Sequence, residues 1–96
     1  MADMNDSEIV DRLRKMIKDR LTLDIPLEQF KADLPLFGEG GLGLDSVEAL
    51  DITVGIENEF KVTISEPEDE AAYARNYHSL ETLKDFVKTL LPGAGG

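Results

Sequence analysis

A chain of 96 residues with 20 acidic and 10 basic side chains, a net charge of −10 and 42% hydrophobic residues reads as one small acidic globular domain spanning 1–96, its ends 1–6 and 92–96 disordered. At this length roughly 60 to 65% of the unfolded chain's surface is buried, which allows a shallow core and argues against a deep catalytic cleft. The absence of cysteine rules out disulfides and thiolate chemistry, a lone His78 rules out a multi-histidine metal site, and the negative charge disfavours nucleic acid and anionic membranes.

The first element is a helix from about residue 7 to 21. Ile9, Val10, Leu13, Met16, Ile17 and Leu21 recur at helical spacing, Asp6 or Ser7 is expected to cap it, and acids precede bases along it as the helix dipole favours. Residues 22–44 form a long connection broken by Pro26, Pro35, Gly38, Gly40, Gly41 and Gly43, expected to be pinned by Leu23, Ile25, Phe30, Leu34, Leu36 and Phe37. No Gly-Lys-Ser/Thr follows the glycines, so they do not make a nucleotide-phosphate loop.

A second helix is expected over about 46–60. Asp45 and Glu48 have the spacing of a capping box, which puts Ser46 at the first helical position, near unpaired amides and the positive end of the dipole, where an attached phosphate is tolerated. On a helical wheel Ala49, Ile52, Thr53, Ile56 and Phe60 face inward, while Val47, Asp51, Val54 and Asn58 face out. Two outward valines flanked by Glu48 and Asp51 suggest a docking surface, although the preceding loop is an alternative cover for Val47. Between residues 32 and 60 there are seven acids, including Glu57, and no lysine or arginine.

The run Lys61–Ile64 alternates like a strand but has no partner strand, so it is read as a link whose Val62 and Ile64 plug the core. Pro67 and the acids Glu66, Glu68, Asp69 and Glu70 open a short third helix through Ala74, with Tyr73 and Tyr77 packing at its edge. An EF-hand pattern is missing there. Ser79 caps a last helix from Leu80 to about Leu91, and His78 lies at its approach as a surface or boundary residue rather than a general base. The fold class is therefore all-α: a small four-helix bundle of three main helices and a short third one, with a long loop between the first two.

The stretch Leu42-Gly43-Leu44-Asp45-Ser46-Val47-Glu48-Ala49-Leu50 resembles the signature of the acyl carrier protein family, and the similarity runs from the first helix to the last. The resemblance implies a non-catalytic carrier of the discrete, type II kind. Ser46 is then esterified with 4'-phosphopantetheine, donated by coenzyme A through a phosphopantetheinyl transferase (holo-carrier synthase). The arm's thiol holds acyl intermediates as thioesters for fatty acid or polyketide-type synthesis, which places the protein in lipid metabolism. It also implies that Asp45, Glu48, Asp51 and Glu57, with Val47 and Val54, meet basic patches on acyl-transfer, condensing and reducing enzymes. The acyl chain is expected to fold back among Ile52, Ile56, Phe60, Ile64 and Leu83.

Departures from the family pattern are Val47, where leucine or isoleucine is usual, and longer stretches around Phe37–Gly41 and Glu66–His78, which suggest a specialised pathway. A monomer in the cytoplasm is expected, since no basic-then-apolar leader is present. A peptidyl or aminoacyl carrier is the alternative within carriers, disfavoured because Gly-Gly-x-Ser is absent. An acidic helical adaptor without a prosthetic group is the alternative outside them. A serine hydrolase lacks both the Gly-x-Ser-x-Gly elbow and a nearby base.

Overall fold

The computed structural model describes residues 5–37, 40–64 and 75–91, the side chain of residue 46 excepted. In chain order the elements are α1 (Asp6–Leu21), a 3-10 turn (Leu27–Gln29), α2 (Ser46–Phe60) and α3 (Leu80–Leu90), and α1 packs against both α2 and α3. Among the described residues there is no strand, only an isolated parallel bridge between Phe37 and Leu44. This is a small helical bundle, as its sequence pattern predicts. The expected short third helix, including Tyr73, lies outside the described residues.

The apolar stripes that specify the helices also bury them. Ile9, Leu13 and Ile17 of α1, Ile52 and Ile56 of α2, and Leu80, Leu83 and Val87 of α3 are fully buried in one cluster. The long connection adds Phe30 and Leu36, both fully buried, with Leu23, Ile25, Leu34 and Phe37 partly buried around them. Val62 and Ile64 pack against the same cluster from the link after α2. At this size a few fully buried side chains account for most of the stabilising area, each contributing on the order of 1.5–3 kcal/mol.

One boundary differs from expectation. Asn5, not Asp6 or Ser7, caps α1, its Oδ1 accepting from the Glu8 amide at 2.8 Å. Asp6 is the first helical residue, and its carboxylate is held 2.9 Å from the Lys88 ammonium of α3. At the other end Thr22 takes a left-handed φ of 53° and donates its amide to the Lys18 carbonyl, closing the helix.

Candidate functional site

The start of α2 is positioned from both sides by backbone hydrogen bonds. Leu36 donates its amide to the His78 carbonyl at 2.8 Å and accepts from the Leu44 amide at 3.0 Å, so the approach to α3 and the approach to α2 are tied through one buried leucine. The Glu81 amide donates to the Ala32 carbonyl at 2.9 Å and fixes the same loop again. His78 itself is exposed, in keeping with a boundary role. Two glycines shape the loop: Gly43 has a φ of +70°, and a Cβ at Gly41 would overlap the Pro35 carbonyl.

Beyond Leu44 the chain emerges at the surface. Asp45 is exposed and extended; its Oδ1 accepts from the Glu48 amide at 3.0 Å, and Glu48 Oε1 accepts from the Asp45 amide at 2.9 Å. This is the capping box that the sequence spacing predicts, and it makes residue 46 the first of α2.

The outer face of α2 is apolar at three positions. Val47, Leu50 and Val54 are 71%, 56% and 45% exposed, so the loop does not cover Val47. Leu50 is absent from the sequence-level surface, yet its i+3 spacing from Val47 and i−4 spacing from Val54 was a sufficient signal.

The acids expected to serve partners already have roles within the chain. Asp51 Oδ1 accepts from Arg20 Nε at 2.8 Å across the α1–α2 boundary, and Glu57 Oε2 accepts from the Ile64 amide at 2.7 Å, latching the link that follows α2. Arg12 similarly meets Glu59 at 3.2 Å. The basic side of α1 thus offsets part of the acidity of α2. Inward, Ile52, Ile56, Phe60 and Leu83 lie in the common core with Ile64 packed against it.

Chemically, the site is the serine position that opens α2, flanked by the exposed Asp45 and Val47 and bordered by an apolar stripe and by carboxylates. It fits a covalently attached phosphoester: residue 46 supplies a hydroxyl by type, its neighbours Asp45 and Val47 are exposed, and the Asp45 and Glu48 carboxylates are directed to backbone amides. Among the described residues no group of three or more His, Cys, Asp or Glu side chains could hold a metal ion, and no helix is long and apolar enough to cross a membrane.

The family model described as the phosphopantetheine attachment site matches residues 11–68, more than half of the chain, from α1 through α2 and the link beyond it. Comparison with curated proteins and with solved structures returned no match.

Proposed function

The chain belongs to the phosphopantetheine attachment family, and from that premise we propose that it is an acyl carrier protein whose attachment residue is Ser46. The observation that carries this reading is the coincidence of the family match with the box-capped start of α2 at that serine, between the exposed Asp45 and Val47. Carriers of this family bear covalent 4'-phosphopantetheine and work with a phosphopantetheinyl transferase and synthase enzymes. The bound arm supplies a thiol that holds an acyl group as a thioester.

What the chain itself does is present, steer and shelter. The Asp45–Glu48 box holds the first turn of α2 rigid, so the anchor has one position relative to the docking face. Asp45, Glu48, Asp51 and Glu57 give that face a negative potential that draws basic partner surfaces and speeds encounter, while Val47, Leu50 and Val54 supply apolar contact once the two meet. Tethering raises the effective concentration of cargo at each docked enzyme without any catalysis by the carrier. Ile52, Ile56, Phe60, Ile64 and Leu83 form the apolar interior into which the acyl chain folds. The partners are acyl-transfer, condensing and reducing enzymes of fatty acid or polyketide-type synthesis, met by a monomer in the cytoplasm.

Intact mass spectrometry after incubation with coenzyme A and a promiscuous phosphopantetheinyl transferase tests the reading. Gain of one arm on the wild type and none on Ser46→Ala supports it. A wild type that stays unmodified, or an arm mapped to another residue, overturns it.

A further inference from the structure

α1 and α2 pack with a constant pairing in opposite chain directions. Arg12 reaches Glu59, Arg20 reaches Asp51, and midway between them Met16 and Arg20 lie against Gly55. The missing side chain at Gly55 leaves room for both, since a Cβ there would fall 2.4 Å from Met16 Sδ, 2.6 Å from Arg20 Cδ and 3.1 Å from its Nε. The guanidinium therefore crosses α2 at Gly55 and ends on Asp51 with Nε 2.8 Å from Oδ1, one turn away along the helix.

Asp51 also belongs to the outer face. It follows Leu50 directly and stands four residues after Val47 and three before Val54, the three exposed apolar residues of α2. A cation on a surface seated over that stripe would meet the carboxylate that Arg20 now occupies. Both side chains of the pair are about a third exposed, at 34% and 38%. An ion pair of this exposure is weak and exchanges readily.

We propose that Arg20 is an internal occupant of the docking face: it holds Asp51 in the free protein and is displaced by an arginine or lysine of a basic partner seated on Val47, Leu50 and Val54. The partner class rests on the carrier reading above; the exchange itself rests on the geometry. The occupied carboxylate lowers affinity for any basic surface that cannot offer a replacement cation in this position. Selection among basic partners follows, because long-range attraction is shared by all of them whereas exchange at Asp51 is local.

Hexaarginine peptide serves as a basic probe that needs no prosthetic group. Titrated into the unmodified protein at low salt and followed by amide and guanidinium NMR, it should shift the Arg20 Nε–H signal together with the amides of α2. Arg20→Gln should bind it about two- to fivefold more tightly than the wild type. Lys15→Gln removes the same charge from an exposed site of α1 and should give a smaller gain. In an Asp51→Asn background the gain from Arg20→Gln should fall to that of Lys15→Gln, the part owed to net charge alone. Arg20→Met, which keeps an apolar stem over Gly55, repeats the comparison should the glutamine variant lose helical signal. Equal gains from the Arg20 and Lys15 variants, or an excess of the Arg20 gain over the Lys15 gain that survives Asp51→Asn, overturns the proposal. Failure of Ser46 to accept an arm would remove the carrier reading and leave this titration fully decisive.

Discussion

The hydroxyl groups of Thr53 and Tyr77 meet inside the domain and join the core-facing side of α2 to the segment that leads into α3. Thr53 Oγ1 also donates to the Ala49 carbonyl at 3.0 Å, which ties the pair to the backbone of α2. Tyr77 is 3% exposed, and its ring lies 6.2 Å from that of Phe86 on α3. Tyr77→Phe keeps the ring contact and removes the hydroxyl. A loss of about 0.5–1.5 kcal/mol is expected, read as a lower urea midpoint with an unchanged slope.

Capping and charge can be separated at Asp45. Asp45→Ala removes the acceptor for the Glu48 amide and should cost about 1 kcal/mol, whereas Asp45→Asn keeps a good cap and should leave stability nearly unchanged. The asparagine variant nonetheless loses a charge beside the proposed attachment residue, Ser46. Modification by a phosphopantetheinyl transferase at low salt should slow in Asp45→Asn and slow more in Glu48→Lys, with both deficits shrinking as salt is raised. Unchanged rates in both variants would remove electrostatic recognition from the mechanism.

Much of this arrangement is legible in the sequence because it is local. The Asp45–Glu48 box, the Ser79 cap and the inward faces of the first two helices follow from spacing alone, and the structure contains each of them. What the sequence does not reveal is pairing between elements. The charge pattern shows seven acids between residues 32 and 60 and a basic α1, but not that Arg20 and Arg12 reach over to Asp51 and Glu59. Gly55 carries no meaning in a one-dimensional pattern, because its role is the space it yields to another helix. The cap of α1 falls at Asn5 and not at the expected Asp6 or Ser7: Asn5 and Asp6 are both good caps by type, and in the structure Asn5 accepts the Glu8 amide while Asp6 pairs with Lys88, 82 residues away.

That lysine gives a pH dependence. A hydrogen bond from Lys88 holds the Asp6 carboxyl below its ordinary value of 3.8, with Lys84 adding to the effect. A depressed folded-state pKa means that the contribution is present above 3.8 and is lost as pH falls through the lower folded value. Lys84 is raised above 10.5, first by its hydrogen bond to Glu81 and then by Asp85, so its contribution is present below 10.5 and is lost as pH rises through the higher folded value. Urea midpoints measured against pH should therefore show Asp6→Asn less stable than the wild type near neutrality, the two converging in acid. Lys84→Met should lose the alkaline limb and keep the acid one.

Leu50 and Ile52 separate the two faces of α2 within a single turn. Ile52 is fully buried, and Ile52→Ala should cost about 2–5 kcal/mol through lost transfer energy and the cavity left behind. Leu50 is 56% exposed, so Leu50→Ala should alter stability by no more than about 0.5 kcal/mol. If the outer stripe is contact surface, the order reverses in a binding assay. Leu50→Ala should raise the transferase KM severalfold at every salt concentration, because burial of apolar area is not screened, whereas a docking acid such as Glu48 acts mainly at low salt. A Leu50→Ala protein that binds and is modified like the wild type would show that the exposed leucine is ordinary surface and that charge alone directs docking.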